Sequence, residues 1–407
     1  MSYPTLPDFP PELTLTVACS RWPLDEVGRQ EIRRQSDATL DWGRFLAWVA
    51  RHRIAPLVHR NLRQAASPST PARILEQLQD QDARNARHVL TQIAEAARIK
   101  RDLDAAGIRS LMIKGPLLSL LAFGDPTIRA SRDIDLYVDR SRVREADRLI
   151  AEAGYRRFAP DFVLTAREEN IFLQLRCQYA YFSAQAGVIQ ELHWRLTSNT
   201  ALMPIGDATL WSRSDPVRLN GVDFSTLPDE DMFLYLCIHG SVHVWFRLKW
   251  LVDIAALLSR ISIDALERIS VRARTLGIER PFYQALLLAH SLLAAAVPER
   301  FLMAARQCKP ARRMVGAAAR ALSWAGSPSE PSNSRWFNTW IALQAYRLKP
   351  TFAYWWAEFQ DQMCSPEDWA RLPLPERLFF LYLPLRPVSW AVRKLKGALV
   401  GVDDTVR

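Results

Sequence analysis

Hydrophobic positions return along this chain at two different spacings, and the change of spacing divides it. From Asp41 to Leu62 apolar residues recur at helical intervals (WGRFLAWVARHRIAPLVHRNL), with Pro56 interrupting the run. Ahead of it, residues 1–24 are rich in proline and predict irregular chain. Ser67–Pro71 (SPSTP) is a break in which Thr70 can cap and Pro71 suits a first helical turn. A long polar helix is predicted from Pro71 to Ala106, ended by Gly107. Beyond it the period shortens. Ile108–Ile113 (IRSLMI) and Ile134–Val138 (IDLYV) read as strands, with Lys114-Gly115-Pro116 and a helix ending at Phe123 between them. Arg140–Ala153 reads as an amphipathic helix closed by Gly154. Leu175–Ser183 and Val188–Leu196 predict two further strands turned at Ala186-Gly187. After Pro228 the pattern is helical again, with breaks near Pro298, across Ser327–Ser334 and at Pro373, Pro375, Pro384 and Pro387.

Strands alternating with helices over one stretch predict a small mixed-sheet α+β or α/β core between helical flanks. The expected division is an N-terminal helical region over 1–106, the core over 107–227, a helical domain over 228–326 and a helical extension over 327–407.

Composition narrows the classes. With 49% hydrophobic and 24% charged residues, the 407-residue chain is neither disordered nor collagenous. No uncharged apolar run reaches the roughly 18 residues of a membrane span. The opening MSYPTLPDFPPELTL has no basic n-region and no apolar h-region, so a cytoplasmic, bacterial protein is expected. Cys19, Cys177, Cys237, Cys308 and Cys364 are scattered with no CxxC spacing, which predicts free thiols and no zinc knuckle. The net charge of +10 points to anionic partners. The basic residues are 7 Lys against 46 Arg, however, a ratio that looks like coding bias and weakens any inference to nucleic acid.

The sharpest chemistry lies in Arg129–Val138 (RASRDIDLYV). Residues two apart on a strand share a face, so Asp133 and Asp135 project together while Ile134, Leu136 and Val138 enter a core. Paired carboxylates repel unless a cation sits between them, and oxygen ligands select a hard ion such as Mg²⁺ or Mn²⁺. Upstream, Lys114-Gly115 ends a strand and opens a helix, a place where backbone and ammonium can meet phosphate. Lys114 is therefore expected to face the Asp pair. Downstream, Glu191 and His193 share a strand face. Glu191 can complete a metal site or act as general base, and His193 reads as a structural hydrogen-bonding residue.

Together these segments resemble the nucleotidyltransferase superfamily that includes DNA polymerase beta and kanamycin nucleotidyltransferase. They are closer still to the uncharacterised bacterial nucleotidyltransferase family proteins. That group reads roughly as GIxxhhhKGxxL, RxxxDhDhhV, a D/E-LHWRL strand and HGxxHxWxxLxWLxD. Here the segments are Gly107–Gly115, Arg129–Val138, Glu191–Leu196 and His239–Asp253, so the resemblance covers about residues 40–260. It implies transfer of a nucleoside monophosphate from an NTP to an acceptor hydroxyl, with pyrophosphate leaving. It further implies Mg²⁺ or Mn²⁺ on Asp133, Asp135 and Glu191, and phosphate contacts from Lys114, Gly115, Arg129, Ser131 and Arg132. The acceptor could be a small molecule, a peptide or protein, or RNA. Three departures stand out. Gly115-Pro116 replaces the superfamily's Gly-Ser, 16 residues separate Pro116 from Asp133, and Arg132 precedes the first Asp. They leave a second reading open, a non-catalytic binding module of the same fold serving a biosynthetic or toxin–antitoxin operon.

His239 and His243, four apart on a helix, are expected to pack toward the cleft without metal. Trp245, Arg247, Lys249 and Trp250 suit either a nucleobase and its phosphates or an interhelix seam, and Asp253 is expected to pair with Lys249 at the surface. Leu385–Leu399 reads as a packed final helix with a basic rim, or as one lying on a membrane surface.

Overall fold

The computed structural model describes residues 8–363, 366–372, 374–382 and 384–385. Its strands are β1 (Ser110–Met112), β2 (Asp133–Val138), β3 (Arg156–Ala159), β4 (Gln178–Ser183), β5 (Val188–His193), β6 (Asp215–Leu219) and β7 (Val222–Thr226). They form one sheet in the order β3-β4-β5-β2-β1-β7-β6. β2 runs parallel to β5, and β1 to β7, while the other neighbours are antiparallel, so the sheet is mixed.

Alternation along β2 separates two cores. Ile134, Leu136 and Val138 pack under one face with Ile93, Ile99 and Leu103 of the long helix Ala72–Ala105 and with Val143 and Ile150 of the helix Val143–Glu152. Asp133, Asp135 and Tyr137 take the opposite face, where Tyr137 joins a second core built from the helices before and after the sheet.

Several expectations need correction. Residues 1–24 are not irregular throughout: Pro11–Ala18 is a helix that buries Leu13 and Leu15, because proline is tolerated at a first helical position. The 41–62 pattern is two helices, Trp42–His52 and Ala55–Ala65, with Pro56 in the first turn of the second and Arg53 left-handed (φ 55°) between them. The expected strand from Leu175 starts only at Gln178, since Ala166–Leu175 is a helix fixed by a Thr165/Glu168 capping box. Strands β3, β6 and β7 were not anticipated. The β6–β7 hairpin turns through Asn220 (φ 47°) and Gly221 (φ 81°), the Asn-Gly pair that such turns favour.

The helix Asp229–Val242 meets the helix Leu248–Leu258 at a tight corner with Val244 (φ 49°) and Trp245 (φ 53°) in left-handed conformation. Trp245 is buried against Gly240, where a Cβ would lie 2.4 Å from the indole ring. Gly240→Ala is therefore expected to cost about 1–3 kcal/mol by overpacking, read in urea unfolding. Unchanged stability would mean that the corner relaxes freely.

The corner is tied to the N-terminal helices. The Leu248 amide donates to His52 Nδ1 (3.2 Å), and Arg247 reaches the Arg51 carbonyl and Glu330 (2.6 Å). Arg51 in turn donates to the carbonyls of Ser327 (2.6 Å) and Ala321 (2.8 Å). Trp245 and Arg247 thus belong to an interhelix seam. No helix among the described residues is long and apolar enough to cross a membrane. The expected basic helix Leu385–Leu399 lies outside the described residues after Leu385, as does Cys364. The other four cysteines are free thiols.

Candidate active site

The parallel pairing of β2 with β5 sets Asp135 opposite Glu191 and Tyr137 opposite His193. The antiparallel run of β1 beside β2, extended by a bond from the Ile113 amide to the Asp135 carbonyl (3.0 Å), delivers Lys114 to the same place. Asp135 is fully buried. Its Oδ1 meets Lys114 Nζ at 2.9 Å and His193 Nε2 at 3.1 Å, and the same imidazole nitrogen lies 3.4 Å from Glu191 Oε2. Lys114 therefore faces the acidic pair, with Tyr235 beneath its ammonium (5.7 Å to the ring centroid).

Burial by itself would raise the Asp135 carboxyl. Lys114 and His193 outweigh it and hold the group well below the usual carboxylate range. The same contacts act in reverse on the bases. Burial would lower both, but Asp135 keeps Lys114 and His193 raised and charged.

Asp135, Glu191 and His193 each offer a donor atom, all within 4.8 Å of one another. Asp135 Oδ2 is buried without a hydrogen-bond partner, so one carboxylate oxygen is available to a ligand. Two carboxylates and an imidazole fit a divalent cation once His193 gives up its proton. An all-oxygen set drawn from Asp135, Glu191 and neighbouring Asp133 fits Mg²⁺ better, with His193 then acting as the hydrogen-bonding residue that orients both carboxylates. Asp133 lines the same cavity but is not one of the three residues in the compact cluster.

The cavity holds about 760 Å³. Its floor is the sheet face from β2 across β5 to β4, with Gln178 and Ala180 beside His193 and Glu191. Lys114, Arg129, Lys249 and Arg53 also line the cavity, as do Glu358 and Asp361 from the helix Phe352–Met363.

The residues expected to meet phosphate divide. Lys114 and Arg129 line the cavity, whereas Gly115, Ser131 and Arg132 do not. Gly115 (φ 70°) makes the turn into the helix Pro116–Phe123, with a would-be Cβ 3.3 Å from the Asp133 carbonyl. Ser131 Oγ donates to that carbonyl (3.0 Å), and the Arg132 side chain is exposed. Pro116 stands at the first helical position, where a missing N–H is least felt.

The expected Lys249–Asp253 surface pair is not formed. Their helix is apolar nearly all round and buried along its whole length, and Asp253 is taken by Arg129 Nε (2.8 and 3.0 Å). His239 and His243 face the cavity as expected, with burial pushing His243 down to about 4 and His239 well below its ordinary value. His243 stacks on Trp250 (5.1 Å between centroids), so Trp250 belongs to the cavity rather than to the seam. Sequence reasoning gave no role to Arg53 and left Lys249 undecided. The scarcity of lysine, the signal that singled out Lys114, applied equally to Lys249.

A family model described as an uncharacterised nucleotidyltransferase matches residues 38–294 of the chain. No curated protein matches the sequence.

Proposed function

The chain belongs to this nucleotidyltransferase family, and from that premise we propose that it transfers a nucleoside monophosphate from an NTP to an acceptor hydroxyl, releasing pyrophosphate. The observation that carries the reading is the pairing of Asp135 and Glu191 on adjacent parallel strands, with Lys114 and an unpartnered Asp135 oxygen at the same point of one cavity.

Asp135 and Glu191, with Asp133 beside them, would hold a divalent cation, Mg²⁺ or Mn²⁺. When bound, that ion supplies charge neutralisation at the α-phosphate. The chain's own groups do the rest. His193 orients both carboxylates. Lys114, a compact ammonium on a rigid turn, binds phosphate oxygens and offsets the charge that develops as pyrophosphate departs. Arg129, fixed through Nε by Asp253, presents the rest of its guanidinium to the same anion. Glu191 takes the proton of the acceptor hydroxyl as its oxygen bonds to the α-phosphorus, and the bond from that phosphorus to the bridging oxygen breaks toward pyrophosphate.

Titration calorimetry with each of the four common NTPs tests the reading. Binding is expected in Mg²⁺ or Mn²⁺ and at least tenfold weaker in EDTA. Equal affinity in both media would overturn metal dependence, and no affinity for any NTP would overturn the function.

A further inference from the structure

Arg53, Arg129 and Lys249 line the same cavity, and only one of them has a counterion. Arg129 takes Asp253. Lys249 is 7% exposed, yet it makes no hydrogen bond or ion pair with any described residue, and the Arg53 guanidinium makes none either. An ammonium taken out of water without a partner is costly. Burial, followed by repulsion from Arg129, pushes Lys249 down to about 7, and Arg53 adds to that repulsion. The carboxylate four residues on is already committed to Arg129, and Asp133 and Asp253 offset the Lys249 charge only from a distance and only in part.

The surrounding structure keeps both cations where they are. Lys249 stands in the first turn of the helix Leu248–Leu258, whose own dipole adds positive charge at that end. Arg53 is held in a left-handed conformation at the end of the helix Trp42–His52, next to the bonds that lock Arg51 and His52 to the 247–248 corner. Left-handed backbone is unfavourable for a residue with a Cβ and persists where surrounding contacts fix it. His239 and His243 beside them are kept neutral by burial, so they neither supply nor cancel charge. An anion is the ligand that such a wall lacks. The cavity is large enough for a nucleotide and has its acidic cluster at the sheet.

We propose that Arg53 and Lys249 form a pyrophosphate subsite that receives the β- and γ-phosphates of the NTP and holds them as the leaving group. The subsite rests on the transfer reading for its biological role, but not for its affinity, which inorganic pyrophosphate alone can measure.

The test is calorimetry on the full chain with inorganic pyrophosphate, an NTP and AMP, for the wild type, Lys249→Met and Arg53→Gln. Pyrophosphate and NTP affinities are expected to fall at least tenfold in each variant, with AMP affinity changing less than twofold. Lys249→Met removes a buried charge that has no ion-pair partner, so its melting temperature is expected to equal or exceed that of the wild type. That result would exclude misfolding as the cause of lost binding. Wild-type affinity for pyrophosphate in both variants, equal losses for AMP and NTP, or no pyrophosphate binding by the wild type would each overturn the subsite. If pyrophosphate binds through Lys249 but no NTP is turned over, the subsite stands and the transfer reading falls. If transfer proceeds and neither variant affects pyrophosphate, the subsite alone falls.

Discussion

Asp135→Asn is expected to lose about 3–5 kcal/mol of stability together with all metal-dependent nucleotide binding. The stability loss follows from what remains after the change: a buried ammonium at Lys114 and a charged imidazole at His193, both sharing the one oxygen that carried their counter-charge. Breaking a buried pair from one side costs about that much because an uncompensated charge is left in a low dielectric. The two losses separate in the double variant Lys114→Met with Asp135→Asn. It is expected to regain most of the stability, because the buried ammonium is gone and His193 can release its proton or keep Glu191 as its partner, and none of the binding. Asp135 and His193 both make the stability depend on pH. Asp135 is depressed in the folded state, so its contribution is present above the ordinary carboxylate range, about pH 4, and is lost as pH falls through the folded value. His193 is raised, so its contribution is complete below about pH 6.5 and is lost as pH rises through the folded value. The difference between wild type and Asp135→Asn is thus greatest from about pH 4 to 6.5. Urea unfolding across that range checks it, and a single variant as stable as the wild type would show that the pair is not a compensated one.

Glu191→Gln is expected to remove the activity while sparing the fold. The Glu191 side chain is one-fifth exposed, and an amide oxygen can still accept from His193, whose bond to Asp135 is untouched. Melting should move little. Transfer should fall by several orders of magnitude, roughly 3–5 kcal/mol of transition-state stabilisation, because an amide neither takes the hydroxyl proton nor ligates a cation well. A non-catalytic binding module would show the opposite pattern, with its cellular output unchanged. Complementation of a strain lacking the protein distinguishes the two, and full complementation by Glu191→Gln would rule out the enzymatic reading.

The sequence patterns were most legible where one period dominated. The alternation DIDLYV placed Asp133 and Asp135 on the face opposite Ile134, Leu136 and Val138, and the long helix ended within a residue of its predicted limit. Lys114 could be placed because a strand, a glycine and a rare lysine coincided. Short edge strands were not legible. β3 is mostly exposed and has no clean alternation, while β6 and β7 were missed despite the Asn220-Gly221 turn between them. Long-range choices of partner were not legible either. Spacing alone joined Lys249 to Asp253, but tertiary packing brought Arg129 to that carboxylate from 124 residues away. Arg53 lies outside the sheet's span of sequence altogether, and only the corner contacts bring it to the cavity.

The walls of the cavity are drawn from residues as far apart as Arg53 and Pro366. On the ribosome the sheet is complete at Thr226, but the last of these residues follows 140 residues later, roughly 7–28 s at ordinary elongation rates. Lys249 follows 23 residues after Thr226, roughly 1–5 s, and until then the carboxylates of the floor have Lys114 beside them but no Lys249. A chain arrested before Lys249, or cut between the two helices at the 243–247 corner, would carry the carboxylates and Lys114 without the ammonium that the helix Leu248–Leu258 brings to the cavity.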